Sequence, residues 1–318
     1  MVFSVVHPMH IPDGFLSVLV SIAMWIVSLA MIGLALRNVK NELGDREVPL
    51  MGVLAAAIFA GQMLNFSVTG GTSGHLLGAA IATILLGPWA AVLVMTSVVS
   101  VQAIFFQDGG ILALGANIFN MAVVGVFVSY AIFNLVQKIA GKYKWGLLVS
   151  GFIAAWTSIF IASLACALEL ALSGTSPANI AIPAMGAIHA LIGVGEGLIT
   201  VGALAFLYAT RKDLVEKTGT KAATGSKGIL VGGSIVAVTL AVFSPLASAH
   251  PDGLEWVAEQ NGFLETAKDA IYNIMPDYVF PGIADPNLAT IIAGILGAVI
   301  VFGVAFGVAT MEKKTAAK

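Results

Sequence analysis

The sequence predicts an all-α polytopic membrane protein, and three observations support this fold class. Hydrophobic residues make up 58% of the 318 positions and charged residues only 10%, whereas a soluble domain carries about 25% charged residues. Apolar runs of about 20 residues, the length of a membrane-spanning helix, recur along the chain. These runs do not alternate with period two, which argues against a transmembrane β-barrel. We therefore expect membrane lipid around the chain and no nucleic-acid partner.

About nine transmembrane helices are predicted from the apolar runs. The run at 75–86 is short, and we expect a short or tilted helix there, because four crossings between Arg46 and Lys138 keep both residues on one side. The predicted segments lie at about 15–36, 50–66, 75–86, 88–106, 111–137, 146–172, 182–210, 228–247 and 288–310.

The distribution of basic residues predicts the orientation in the cell (cytoplasmic) membrane. Of the 15 Lys and Arg residues, all except Lys268 follow the first, fifth, seventh or ninth segment. Cytoplasmic loops are enriched in Lys and Arg. The N-terminus is therefore predicted outside and the C-terminus inside.

Composition also predicts the domain organisation. Residues 1–8 lack the basic start and apolar core of a signal peptide, so we expect an extra N-terminal tail or a start codon assigned too far upstream. A membrane domain at 9–210 is followed by a polar cytoplasmic link at 211–227 and a second domain at 228–318. This second domain has two helices around an acidic outer segment at 248–287, which either concentrates divalent cations or is a solvated loop.

Met9, His10 and His75 form the candidate metal site. An N-terminal amine followed by His can bind a d⁸ or d⁹ cation through the amine, the deprotonated amide and the imidazole, and a second imidazole completes a square of four nitrogens. Tetragonal nitrogen coordination suits Ni(II) or Cu(II), and imidazole also suits cobalt. Met9 can supply the amine only where it is the first residue; otherwise His7 is the expected substitute. Interfacial polar residues near helix ends are the alternative interpretation.

A second group of polar residues is expected to surround this site or to line an ion path. His189 and Glu196 are seven residues apart, so they share a helix face, although they could equally form a buried hydrogen-bonded pair. Asp13 is expected near the positive end of the first helix, and the Gln107–Asp108 loop is expected on the same outer side as His10. The group comprises Asp13, Ser73, Gln107, Asp108, His189 and Glu196.

Small residues recur at intervals of four in the second helix, at Gly52, Ala56 and Ala60. Such a stripe allows helices to approach closely, and it predicts either internal packing or a contact with another membrane protein. Cys166 is expected to be a core residue. The sequence contains no phosphate-binding Gly-rich loop and no catalytic triad spacing, so we expect no enzyme activity and no cofactor. Active transport would need a partner or an ion gradient.

Four motifs resemble the CbiM/NikM family, the substrate-binding M components of energy-coupling-factor cobalt and nickel transporters. Residues 228–310 resemble the small N component of these systems and include the motif at 251–255. The four motifs are Met9-His10-Ile11-Pro12-Asp13-Gly14-Phe15, the 70–75 loop, the 107–117 segment and the 189–196 segment.

The resemblance implies an M–N fusion that takes up nickel, or alternatively cobalt for cobalamin synthesis. It implies that Met9, His10 and His75 bind the ion, and that the partners are a transmembrane coupling protein and cytoplasmic ATPases. We expect nickel ahead of cobalt, because the four-nitrogen plane suits nickel. A secondary divalent-cation transporter is the alternative from another class.

Overall fold

The computed structural model describes residues 9–40, 42–141, 143–216 and 226–316. The predicted tail at 1–8 and most of the predicted link lie outside these ranges. Within them, strands occur as one antiparallel hairpin, in which β1 (Phe66–Val68) pairs with β2 (Thr72–Gly74). The remaining regular structure is helical, which confirms the predicted all-helical polytopic fold.

The helices follow the apolar runs, with short helical pieces at the connections. Two π-helical turns, at Gln102–Phe106 and Phe119–Val124, interrupt the long helices beside polar residues. The helices are α1 (Val18–Val39), α2 (Glu47–Gln62), α3 (Ala79–Leu86), α4 (Pro88–Val101), α5 (Leu114–Ile118), α6 (Gly125–Ala140), α7 (Lys144–Leu172), α8 (Ala178–Thr210), α9 (Lys212–Glu216), α10 (Ser226–Phe243), α11 (Gly253–Gln260) and α12 (Pro286–Ala316).

Seven helices in the described ranges are long and apolar enough to cross a membrane by length and composition. The helices in the second and third predicted segments are shorter than these seven: α2 has 16 residues and α3 has eight. A helix of eight residues spans only about 12 Å, well short of the hydrocarbon core of about 30 Å. The count of nine crossings therefore stays a prediction.

The third segment is short because its first residues are held outside the helix. Gly78 has a φ of 82°, in the left-handed region that favours glycine, and α3 begins only at the next residue. A Cβ at Gly78 would also lie 2.7 Å from a side-chain methyl of Ile58 on α2. The extended residues before Gly78 include His75, which is thereby separated from the helix.

The Lys- and Arg-rich connections gather at one end of the molecule. A guanidinium N–H of Arg46 donates to the carbonyl oxygen of Asp213 at 2.8 Å, which joins the connection after α1 to the one after α8. The Lys40 Nζ atom lies 3.7 Å from Oε2 of Glu312, near the end of α12. Met9 and the hairpin lie away from these connections, at the other end of α1 and α2. That the basic end is cytoplasmic stays a prediction.

The small-residue stripe on α2 packs inside the chain. A Cβ at Gly52 would lie 2.8 Å from the ring of Phe302 on α12, and Ala56 and Ala60 are buried. On the neighbouring face, a Cβ at Gly233 of α10 would lie 2.5 Å from the Val53 side chain. Of the two interpretations of this stripe, the structure shows internal packing, with the last two long helices as the partners of α2.

We predict that Gly115→Ala destabilises the protein, because a Cβ there would lie 2.5 and 2.6 Å from the backbone nitrogen and Cα of Trp25. The close approach also allows the Ser28 hydroxyl to donate to the Gly115 carbonyl at 2.6 Å. Overpacking of this kind costs about 1–3 kcal/mol, so the unfolding temperature in detergent should fall by several degrees. Gly33→Ala on α1 is the matched control, since nothing lies within 4 Å of its Cβ position. Equal unfolding temperatures for the two variants would contradict the prediction.

Candidate metal centre

The segment Met9–Ile11, called the strip below, is held against α5 and the loop before it. The Ile11 N–H donates to the Asn117 side-chain oxygen at 3.0 Å, and the Asn117 amide nitrogen donates back to the Ile11 carbonyl at 3.1 Å. The Gly110 N–H donates to the same carbonyl at 3.0 Å. Since one side chain pairs with both backbone groups of Ile11, the position of the preceding His10 is fixed.

Asp13 fastens this strip at its other end. One carboxylate oxygen accepts from the N–H groups of Leu112 and Ala113, at 2.9 and 3.0 Å, while the Asp13 carbonyl accepts from the Lys268 N–H at 2.7 Å. We expected Asp13 near the positive end of α1, but the N-cap of that helix is Ser17. Asp13 instead holds the loop that carries Asp108 and is not part of the cavity lining.

Three nitrogens of the strip converge on one oxygen of Asp108. The Met9 backbone nitrogen lies 2.6 Å from Asp108 Oδ1, the His10 backbone nitrogen 3.2 Å, and His10 Nδ1 2.8 Å. His10 and Asp108 are both buried, with 5% and 1% of their surface exposed. These are the same three nitrogens that would form the fused chelate rings, and they already face a common point.

The charges at this point support each other. Burial alone would lower the pKa of His10, but the charge and hydrogen bond of Asp108 outweigh it, and the pKa is raised above its usual value. Burial would raise the pKa of Asp108, yet the charge and hydrogen bond of His10 bring it below its usual value. The carboxylate is therefore anionic, and it favours a cation at the point where the nitrogens converge.

His75 faces His10 from the residues that follow the hairpin. The two ring centroids are 5.6 Å apart in an edge-on arrangement. His75 Nδ1 lies 3.0 Å from the Leu76 carbonyl, which requires Nδ1 to carry the proton. Burial, with the charge of His10 adding to it, lowers the pKa of His75 to about 4. At neutral pH the ring is therefore neutral, and its Nε2 carries a lone pair for a ligand.

Two sets of hydrogen bonds hold the backbone on either side of His75. After His75 in the chain, the Glu196 carboxylate accepts from the N–H groups of Leu77 and Gly78, at 2.7 and 3.1 Å. Before His75 in the chain, Ser73 donates through its N–H to the Pro251 carbonyl at 2.8 Å. Glu196 and Ser73 thus act on the backbone beside His75, and neither is part of the cavity lining.

The histidines open onto a cavity of about 80 Å³. His189 is on its wall, with Nδ1 2.9 Å from the Met185 carbonyl of its own helix. Gly253, at the start of α11, packs against the His189 ring, because a Cβ there would lie 2.9 Å from its Cε1 atom. The polar lining residues are His10, His75, Asn117, Asn120, Ser163, Cys166, His189 and Asp252.

The structure brings together some of the predicted site residues and separates others. Met9, His10, His75 and His189 line the cavity, and Asp108 lies directly against the first two. Gln107 has a φ of 59° and donates through its side chain to the Tyr272 carbonyl, outside the cavity. His189 and Glu196 bond to different backbone groups, so they act separately.

Sequence reasoning missed several residues at the site, among them Cys166, Asp252 and Tyr278. Cys166, expected to be a simple core residue, lines the cavity together with Asp252, the N-cap of α11. Burial raises the pKa of Asp252 to about 8. Tyr278 donates a hydrogen bond to Asp108 Oδ2. A fully buried tyrosine in an acidic, loop-rich segment carries no local pattern that could have revealed it.

The donor set suits a nitrogen-bound transition metal ion. Among the described residues, no three His, Cys, Asp or Glu side chains are arranged to hold a metal ion together. The backbone nitrogens of Met9 and His10 lie beside the His10 ring and can serve as further donors. His10 Nδ1 and the backbone nitrogens of Met9 and His10 already face one point. The arrangement therefore fits a cation bound by imidazole and backbone nitrogen. His10 Nε2, the other ring nitrogen, is buried without a hydrogen-bond partner in the described ranges and is not part of this set.

Fold and site together define a multi-pass membrane protein with a cavity suited to a transition metal ion, and two family models match the chain. One is described as the cobalt uptake substrate-specific transmembrane region and matches residues 10–214. The other is the PDGLE domain, which matches residues 227–314. The chain belongs to the CbiM family and carries a PDGLE domain.

Three known proteins illustrate the similarity. A chain of Archaeoglobus fulgidus, provisionally named a fused nickel transport protein, NikMN, is 38% identical over 94% of this chain and 97% of that protein. The cobalt transport protein CbiM of Sorangium cellulosum is 33% identical over 66% of this chain and 95% of that protein. A crystal structure of a truncated transition metal transporter is 35% identical and aligns with a TM-score of 0.57, covering 63% of this chain and 99% of that one.

We predict that Asp108→Asn reverses the direction of the His10 pKa shift. In the parent protein the pKa lies above its usual value of 6.5; without the carboxylate, burial should dominate and the pKa should fall below 6.5. Histidine-labelled, metal-free protein can be titrated by NMR, with the His10 signal assigned from a His10→Gln sample. A His10 pKa that stays above 6.5 in Asp108→Asn would contradict the assigned role of the carboxylate.

Proposed function

We propose that this chain captures Ni(II), or Co(II), at the outer face of the membrane as the substrate-binding component of an ATP-driven energy-coupling-factor transporter. The observation that carries the proposal is the convergence of the Met9 nitrogen, the His10 nitrogen and His10 Nδ1 on Asp108 Oδ1, within 2.6–3.2 Å. His75 supplies the fourth nitrogen from the facing side.

In this proposal the ion takes the place of the Asp108 oxygen at the point of convergence. Met9 and His10 contribute the three nitrogens of the chelate, and Nε2 of His75, freed by the bond from Nδ1 to the Leu76 carbonyl, completes the square. Met9 acts as an amine ligand only where it is the first residue of the mature chain; where residues 1–8 are retained, His7 is the proposed substitute for that ligand.

Nickel is the preferred substrate in this proposal. Four nitrogens in a plane suit a d⁸ ion, and Ni(II) ranks above Co(II) in affinity for nitrogen donors. Further support comes from relatives that span both parts of this chain, such as the Rhodobacter capsulatus protein, which is named a fused nickel transport protein, NikMN, and is 33% identical over 79% of this chain.

We assign separate roles to the two parts of the chain. Residues 9–210 form the metal-binding M-type domain, 211–227 the cytoplasmic link and 228–318 the N-type domain. The acidic side chains of the outer segment 248–287 assist metal loading, and the bonds from Ser73 to the Pro251 carbonyl, which hold this segment beside the hairpin, support the assignment. His189, on the cavity wall, lies on the path of the ion.

The proposed partners are a transmembrane coupling protein and a pair of cytoplasmic ATPases. This chain has no nucleotide-binding motif of its own, and its relatives are named as transport proteins, so the energy is assigned to the partners. The cytoplasmic ends of the helices, where Arg46 and Asp213 meet, are the proposed side of contact with the ATPases.

We expect His10→Ala and His75→Ala each to weaken Ni(II) binding by about 100-fold or more, because each removes one of four nitrogens from a coordination plane. Binding to detergent-solubilised protein can be measured by competition with a chelating indicator. His250→Ala is the matched control, since this histidine is exposed. If His10→Ala keeps the wild-type unfolding temperature and still binds Ni(II) with wild-type affinity, the assignment of this site is wrong.

Cellular nickel uptake through this protein should stop when the cognate ATPase is inactivated by a substitution in its phosphate-binding loop. Accumulation of radiolabelled Ni(II) measures this, and a protonophore added to cells with intact ATPase is the control. Uptake that survives ATPase inactivation and is abolished by the protonophore would favour a secondary transporter instead.

A further inference from the structure

Both oxygens of the Asp108 carboxylate are bonded, and they are bonded to different parts of the chain. Oδ1 accepts from Met9 and His10 of the N-terminal strip. Oδ2 accepts from the hydroxyl of Tyr278, which lies about 170 residues further on in the PDGLE part. One buried carboxylate therefore joins the metal-binding strip directly to the second domain.

Tyr278 is held firmly in this position. It is fully buried, and its ring stacks on Phe106 with centroids 4.7 Å apart and planes 15° from parallel. The Gln102 side-chain amide donates to the phenol oxygen at 3.1 Å. With the oxygen accepting from Gln102, the phenol hydrogen is left to point at Asp108.

The backbone at this position adopts a conformation that is unusual for its residues. Asp277 and Tyr278 have φ values of 52° and 57°, in the left-handed region that non-glycine residues seldom occupy. Such conformations persist only where the surroundings over-determine them, and they cluster at functional sites. The packing around Tyr278 thus holds its hydroxyl in place in spite of the backbone strain.

The Tyr278 hydroxyl would keep the Asp108 carboxylate hydrogen-bonded when an ion is bound. A buried carboxylate needs hydrogen-bond partners or a cation. When an ion takes the point where the three nitrogens converge, Oδ1 loses its bonds to them, and Tyr278 remains as the donor to Oδ2. The carboxylate then stays beside the bound cation and balances its charge.

We propose that Tyr278 of the PDGLE part is a positioning residue for the metal chelate: its hydroxyl anchors Asp108, and Asp108 aligns the Met9 and His10 nitrogens before the ion arrives. This inference rests on the proposed nickel site, and it gives the second domain a direct part in metal capture. A ligand set that is aligned in advance does not have to be ordered on binding, and this raises affinity.

The test is Tyr278→Phe, which keeps the ring that stacks on Phe106 and removes only the hydroxyl. Hydrogen bonds to charged groups are among the stronger ones in proteins, so we expect the Ni(II) dissociation constant to rise about ten-fold. Tyr272→Phe is the matched control: it lies in the same outer segment, and its hydroxyl donates to the Ala103 carbonyl at 2.7 Å, not to Asp108. Its dissociation constant should stay within about two-fold of wild type.

A double-mutant cycle separates anchoring of Asp108 from a general loss of packing. In an Asp108→Asn background, where the acceptor is uncharged and the bond weaker, Tyr278→Phe should raise the dissociation constant by less than about three-fold. The same ten-fold rise in both backgrounds would overturn the proposal, as would an unchanged or tighter affinity in Tyr278→Phe alone.

A measurement on metal-free protein keeps this inference separate from the nickel proposal. Amide hydrogen exchange of the peptide that contains residues 9–17 should speed up in Tyr278→Phe and not in Tyr272→Phe, while peptides from α7 and α8 stay unchanged. No change in the strip would overturn the inference, even in protein that binds nickel. Gln102→Leu, which removes the amide that orients the phenol, should act in the same direction by about two- to three-fold and serves as the test if Tyr278→Phe is unstable.

Discussion

The arrangement of the candidate metal centre depends on the hydrogen bonds of the buried Asp108 carboxylate. A carboxylate with 1% of its surface exposed must be fully hydrogen-bonded or neutralised. It meets this requirement through two backbone nitrogens, one imidazole and one phenol, which come from two distant parts of the chain. The need to satisfy a single charge thus draws the N-terminal strip, the loop before α5 and the PDGLE part to one point.

The same principle accounts for the other polar residues around the cavity. Asp13 and Glu196 each use their carboxylates to accept from pairs of neighbouring backbone N–H groups, and Asn117 pairs with both backbone groups of Ile11. These side chains satisfy irregular backbone in a protein whose regular helices satisfy their own. They leave Nε2 of His75 available for a ligand, while Nδ1 of His10 faces the Asp108 carboxylate.

The second domain takes part in both the fold and the site. Its helix α12 packs against Gly52 of α2, and Gly233 of its helix α10 packs against Val53 of α2. Its outer segment contacts the hairpin before His75 through the Pro251 carbonyl. Gly253 lies against the His189 ring because it has no side chain. Neither part of the chain would form this cavity wall alone, since Asp252 and Gly253 line it together with His10 and His75.

The sequence by itself determined the helical membrane fold, the resemblance of its two parts to the M and N components, and the prediction that His10 and His75 lie together. Long apolar runs, short motifs and rare histidines are all visible in the sequence. It predicted a crossing helix over 75–86, where only Ala79–Leu86 is helical, since the bonds from Leu77 and Gly78 to Glu196 cannot be seen in a local pattern. The sequence placed Asp108 near the site without assigning it a partner.

Only the tertiary structure decided that the nitrogens of Met9 and His10 face the Asp108 carboxylate and that Tyr278 holds it from the other side. Those contacts join residues about 100 and 170 positions apart, and they arise from the packing of the two domains and from the need to bond every buried charge.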